Sequence, residues 1–156
     1  MIEVYADGGC RGNGTEGNRG GWGVYLSTLN NGQPMSKELF GYVEETTNNQ
    51  MELTAAIQGL LAIKPNSRHK PVTLYTDSNY VVRGLNEWLQ SWKARNWRTA
   101  AREPVKNKEL WQVLDEIVQS YSNLQVVWVK GHGDNYGNIK ADNLANYAMD
   151  IQGNSI

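Results

Sequence analysis

The 156-residue chain has a single cysteine, Cys10, so no internal disulfide can form, and no CxxC pair offers a zinc site. That usage suits a reducing compartment, and a cytoplasmic location is expected. Histidine is nearly as scarce, with only His69 and His132. No stretch approaches the ~20 apolar residues of a membrane span. The first residues, Met1-Ile2-Glu3-Val4-Tyr5-Ala6-Asp7, lack the basic start and long apolar run of a signal peptide, so no membrane partner is expected. A large excess of either charge is missing too. A net charge of −1 argues against coating nucleic acid by bulk charge, and makes the distribution of charge the informative quantity. There is no internal repeat, low-complexity tract or long linker.

What is present is globular: 40% hydrophobic and 20% charged residues, with six Trp and eight Tyr. The length fits one domain, 1–156, able to bury roughly 70% of its unfolded surface without a staple. A monomer is expected. Residues 2–6 are β-formers that run into Asp7-Gly8-Gly9, which reads as a strand closed by a turn. A glycine-rich loop, 12–21, precedes a second strand at 22–27. Asn30-Asn31-Gly32 signals a turn before a third strand at 37–43. Thr46-Thr47-Asn48-Asn49 favours a helix N-cap; Met51, Ala55, Ala56, Leu60 and Ile63 then recur at helical spacing up to Pro65. Residues 72–76 form a short apolar strand, and Asp77-Ser78 opens a short helix that stops near Gly84.

Residues 87–106 read as an aromatic, basic insertion. An amphipathic helix follows, with Leu110, Trp111, Val113, Leu114, Ile117, Val118 and Tyr121 on one face. Residues 124–129 give a last strand and about 137–149 a last helix; the tail, 151–156, should fray. The predicted order is βββαβαααβα: an α/β fold with a five-stranded mixed sheet flanked by helices, its later strands parallel to the first. Ligands of such sheets gather at carboxyl ends of strands, where Asp7 and Asp77 both sit.

Four carboxylates stand out by position: Asp7, Glu52, Asp77 and Asp142. Each has a structural alternative. Asp7 would be a turn former, Asp77 a helix N-cap, Glu52 a first-turn partner of a helix dipole, and Asp142 a surface residue. Jointly these weaken, because acids converging on one crevice repel each other and need a cation. Hard oxygen ligands with few histidines favour Mg²⁺ or Mn²⁺ over zinc. A two-metal site would activate a water and stabilise the leaving oxygen of a phosphodiester.

The strings Asp7-Gly8-Gly9-Cys10, Thr47-Asn48-Asn49-Gln50-Met51-Glu52-Leu53, Thr76-Asp77-Ser78-Asn79-Tyr80-Val81 and Val129-Lys130-Gly131-His132 resemble ribonuclease H, type 1, in its bacterial form. The similarity runs from Val4 to about Ala148 and includes the Trp-rich insertion. It implies the ribonuclease H-like fold and an endonuclease that hydrolyses the RNA strand of RNA–DNA hybrids, with two Mg²⁺ ions (Mn²⁺ as substitute), leaving 5′-phosphate and 3′-hydroxyl ends. Asp7 would bridge both metals. Glu52 and Asp77 would complete the one nearer the leaving group, and Asp142 would hold the one carrying the attacking water. Asp134 is the rival for that fourth place; helical setting and distance from His132 favour Asp142. His132, otherwise an ordinary loop histidine, would assist proton transfer or product release.

The resemblance also assigns the grip on substrate. Cys10, Gly12, Asn13, Asn48, Glu52 and Asn79 would read the RNA strand through its 2′-hydroxyls. Thr47 and Asn107 would hold a DNA phosphate. Tyr80, Trp92 and Thr99 would line the DNA-strand channel, with Trp88 in the core. Seven of the fifteen cationic residues fall within 83–108, interleaved with Trp88, Trp92 and Trp97. Glu45 and Gln50 stand where the family often has arginine, which predicts weaker hybrid affinity with strong salt dependence. Two other readings share parts of this pattern: a nuclease of the same fold acting on DNA, and a hybrid-binding module without chemistry.

Overall fold

The computed structural model describes residues 1–155. Three long antiparallel strands, β1 (Ile2–Arg11), β2 (Arg19–Asn30) and β3 (Gln33–Glu44), precede helix α1 (Asn48–Leu61). Strand β4 (Val72–Thr76), helices α2 (Asn79–Arg83), α3 (Leu89–Ala94) and α4 (Lys108–Gln119), strand β5 (Leu124–Trp128) and helix α5 (Tyr136–Ile151) follow. The sheet order is β3-β2-β1-β4-β5, with β4 parallel to both β1 and β5. The predicted order βββαβαααβα is the observed one, with a 3₁₀ turn at Pro65–Ser67 and a π-turn at Gly84–Trp88 added.

Side-chain alternation divides the sheet between two helix layers. Val4, Ala6, Val24, Leu26, Val72 and Leu74 join one core cluster with Leu53, Ile57 and Leu60 of α1 and Trp111 and Leu114 of α4. The opposite face of β1 and β2 packs on α5 through Ala141, Ala145 and Met149. Glycines set how close that layer lies: a Cβ at Gly21 would overlap the Ala145 carbonyl, and one at Gly23 the Ala141 carbonyl.

Several boundaries differ from expectation. Strand β1 does not turn at Asp7-Gly8-Gly9. It pairs with β2 as far as Arg11↔Arg19, so the glycine loop is only residues 12–18. The start of α1 agrees with expectation: Thr47, within the predicted Thr46–Asn49 cap, is its N-cap, the hydroxyl accepting the Gln50 N–H at 3.1 Å. Val113, placed on the apolar face of α4, is 45% exposed. The tail is not frayed over its described part. The Ser155 N–H donates to Phe40 O, the Phe40 N–H to Ser155 Oγ, and the Tyr42 N–H to Asn154 Oδ1 at 2.7 Å, which covers part of the β3 edge. Ile156 lies outside the described residues.

Candidate active site

The four carboxylates reach one cleft from four elements, and none performs the structural job open to it. Asp7 lies inside a paired strand, where β1 outruns its parallel partner β4. Asp77 is not the cap of α2. That role is Ser78's, whose hydroxyl accepts the Val81 N–H at 3.2 Å. Glu52 is past the first turn of α1 and spends one oxygen on a strand amide: Gly8 N–H donates to Glu52 Oε1 at 2.6 Å. Gly8 permits this crossing, since a Cβ there would overlap the Met51 carbonyl. Asp77 is held in turn by the Trp128 indole N–H, which donates to the Asp77 carbonyl at 3.1 Å, while Gly131 sits against its carboxylate.

Asp7, Glu52 and Asp77 each place a carboxylate oxygen within 4.8 Å of the other two. Asp7 and Glu52 are 5% and 7% exposed, yet among the described residues no lysine or arginine pairs with any of the three. Burial, reinforced by the Glu52 and Asp77 charges, pushes the Asp7 carboxyl far above the ordinary carboxylate range. Burial and the Asp77 charge raise Glu52 against the pull of the Gly8 amide. Asp142 stands outside the tight trio but lines the same cleft. Its rival Asp134 does not line it. A buried anion cluster of hard oxygens without a partner cation fits divalent metal ions that prefer oxygen ligands.

His132 is also on this cleft, exposed, with a left-handed backbone (φ +56°) on the loop between β5 and α5. Cys10 and Asn48 line it too. Asn13 caps an orphan amide at the start of α1, its Oδ1 accepting the Asn48 N–H at 3.1 Å. A neighbouring depression collects Asn13, Gly14, Thr47, Asn48, Asn49, Lys106 and Asn107. Asn107 occupies the N-cap position of α4 at φ +58° but does not cap it. Its side chain instead donates to Tyr80 Oη at 3.1 Å and accepts from Gln50 Nε2 at 3.2 Å. Tyr80 Oη also accepts the buried Trp111 indole N–H at 2.9 Å, so the depression is braced from the core.

Other expected residues fall outside both depressions. Gly12 (φ +71°) starts the glycine loop, and Asn79 is exposed on the first turn of α2. Thr99 closes its own turn, its hydroxyl accepting the Glu103 N–H. Contrary to expectation it is Trp92 that packs on the core, half-buried with its ring centroid 5.2 Å from that of Trp111, while Trp88 lies half-buried under the Arg83 guanidinium. Glu45 and Gln50 have structural work. The Glu45 carboxylate accepts the Gly17 N–H at 2.8 Å, and Gln50 links Thr46 to Asn107. Sequence reasoning passed over Gly8, Arg11 and Asn146, which line the cleft beside the acids; Arg11 and Asn146 are ordinary surface types, and only tertiary placement singles them out. An apolar groove of Leu26, Met35, Ala62 and Ile63 lies at the other end of the sheet and carries no acid.

With this geometry in hand, comparison with known proteins gives one answer. A family profile described as RNase H matches residues 1–150. A protein of Methylobacillus flagellatus named Ribonuclease H is 51% identical over 150 residues, covering 96% of this chain and 92% of its own. One of the same name from Pseudomonas putida W619 is 52% identical over 149 residues, covering 96% and 93%. Among solved structures, LC9-RNase H1, a type 1 RNase H with the type 2 active-site motif, superposes with TM-score 0.87 at 33% identity, covering 99% of this chain and 74% of that one. LC11-RNase H1, solved in complex with RNA/DNA hybrid, gives 0.71 at 28%, covering 97% and 99%.

Proposed function

The chain belongs to the ribonuclease H family, nucleases that degrade the RNA of RNA–DNA hybrids, and we propose that it cuts that strand internally with two divalent ions, leaving 5′-phosphate and 3′-hydroxyl ends. The observation that carries this is the trio of carboxylates within 4.8 Å, two of them buried and none paired with a lysine or arginine among the described residues. Asp7, Glu52, Asp77 and Asp142 would hold Mg²⁺, with Mn²⁺ as substitute. Ions bound there supply a deprotonated water and charge for the leaving oxygen. The Gly8 amide keeps Glu52 turned toward Asp7. His132, exposed on the loop between β5 and α5 beside the acids, would exchange a proton with the leaving group or help product depart.

Cys10, Gly12, Asn13, Asn48 and Asn79 face the RNA strand in this reading. Thr47 and Asn107, with Lys106 beside them, take a DNA phosphate. Tyr80, Trp92 and Thr99 guide the DNA strand along the basic insertion at about 87–106. The whole chain, 1–156, acts as one catalytic domain, as a monomer and in the cytoplasm.

Matched hybrid, double-stranded RNA and double-stranded DNA incubated with Mg²⁺ test the reading. Cleavage confined to the RNA of the hybrid, with ends that a 5′-phosphate-dependent exonuclease accepts, is expected. Cutting of DNA duplex at a comparable rate refutes it. No cutting with either Mg²⁺ or Mn²⁺ would leave only a binding module.

A further inference from the structure

Strand β1 and helix α5 run side by side in the same direction. Gly137 sits on the Tyr5 ring, Asp7 and Asp142 line one cleft, and Met149 lies beside Gly9. One more contact joins them beyond the cleft: Arg11 Nη1 meets Asp150 Oδ1 at 2.7 Å, and Arg11 Nη2 donates to Asn146 Oδ1 and O at 3.3 and 3.4 Å. Asp142, Asn146 and Asp150 form one stripe of α5 at i, i+4 and i+8. Asn146 is tied to Asp142, its Nδ2 donating to the Asp142 carbonyl at 3.1 Å.

The spacings agree. From Asp7 to Arg11 the strand advances about 13 Å, and from Asp142 to Asp150 the helix advances about 12 Å. Asp7–Asp142 and Arg11–Asp150 are therefore two parallel rungs between the same two elements. The first rung is repulsive when both acids are ionised, and the second is attractive. We infer that Arg11 is a positioning residue: by tethering Asp150 and Asn146 it holds α5 against β1 at the separation that lets Asp7 and Asp142 share a divalent ion. This rests on the reading that Asp142 is a metal ligand.

Charge and tether predict opposite signs, which makes the inference testable. Removing a cation near an anionic cluster would by charge alone tighten metal binding, whereas releasing the tether weakens it. Mn²⁺ binding to the substrate-free chain is followed by calorimetry, and the Mg²⁺ requirement for hybrid cleavage is titrated alongside. Arg11→Ala is expected to bind Mn²⁺ two- to fivefold more weakly, the size that one exposed ion pair allows, and to raise the half-saturating Mg²⁺ by the same factor with KM for hybrid unchanged. Arg11→Lys recovers part of the loss, and Asp150→Asn reproduces it from the helix side. Unchanged or tighter Mn²⁺ binding in Arg11→Ala overturns the inference, as does a shift confined to KM, which would make Arg11 a substrate contact. Asp142→Asn separates the two levels: if it binds Mn²⁺ as the parent does, the ligand assignment falls and takes the tether with it. If it is impaired while Arg11→Ala matches the parent, the tether alone falls.

Discussion

Replacing Asp7 by Asn should end cleavage and at the same time stabilise the metal-free protein near neutral pH. Asp7 is 5% exposed, with oxygens of Glu52 and Asp77 within 4.8 Å. Two unit charges at that distance repel by about 3.5 kcal/mol at an effective dielectric constant of ~20. The chain avoids part of this by keeping a proton, because burial and the neighbouring charges raise Asp7 far above its unfolded value of about 3.9. The sign follows from linkage. A carboxyl raised on folding leaves stability intact below its unfolded pKa, and that stability is lost progressively as pH climbs toward the folded value. The parent therefore loses ground from about pH 4 upward, at up to 1.4 kcal/mol per pH unit for this group. Asn at position 7 carries no such charge. It should gain roughly 2–3 kcal/mol at pH 8, or about 5–10 °C in Tm for a chain this long.

Thermal melts of parent and Asp7→Asn in chelator at pH 8 and pH 4.5 measure the gap, which should shrink at the acid end. Mg²⁺ should then stabilise the parent, by about 1.4 kcal/mol at ten times Kd, and leave the variant nearly unmoved. A variant no more stable than the parent at pH 8, or a gap that ignores pH, would refute the account of Asp7 as a buried carboxyl whose ionisation costs stability until a metal is bound.

Other outcomes follow from the same geometry. Gly8→Ala must push α1 off β1 where a Cβ would overlap the Met51 carbonyl, so a loss of about 1–3 kcal/mol in urea unfolding is expected, together with a fall in kcat from displaced Glu52. Tyr80→Phe leaves the Trp111 indole and the Asn107 amide without their shared acceptor; stability should drop by about 1–3 kcal/mol and KM for hybrid should rise, measured by urea melts and steady-state cleavage. Lys106→Ala removes a cation from the depression of Thr47 and Asn107. Hybrid affinity plotted against salt on logarithmic axes should flatten by about 0.9 in slope if that lysine meets a phosphate, and an unchanged slope would remove it from the interface. Chelator should abolish cleavage while leaving the far-ultraviolet circular dichroism intact, because the core of Val4, Leu53, Leu74 and Trp111 needs no metal.

The legible parts of this protein are those with local causes. Thr47 as a cap, the apolar spacing along α1 and the sequence of elements follow from side-chain chemistry within a turn or a strand. The glycines mislead for the same reason. In isolation Asp7-Gly8-Gly9 and Gly20-Gly21 have turn chemistry, but their real causes are distant: α1 crosses at Gly8 and α5 lies on Gly21 and Gly23. Close approach between elements far apart in sequence has no local signature. It converts an apparent turn into a continuous strand that carries Asp7 into the cleft.

The candidate site divides along the same line. Chemistry was readable as residue type and position, because hard oxygens that converge without cations call for a divalent ion whichever substrate is cut. What the sequence could not rank was support. Asn107 looks like a cap and is a brace, its left-handed backbone releasing the side chain to Tyr80 and Gln50. Glu45 looks like a lost arginine, yet its carboxylate holds the glycine loop at Gly17. Restoring positive charge by Glu45→Arg would therefore set two effects against each other, gaining attraction for phosphate and freeing the loop that presents Asn13 to the start of α1. Gln50→Arg meets a similar conflict through Asn107. The departures from the family pattern are thus coupled to the loop and the brace, and their effect on hybrid affinity belongs to those groups together rather than to net charge.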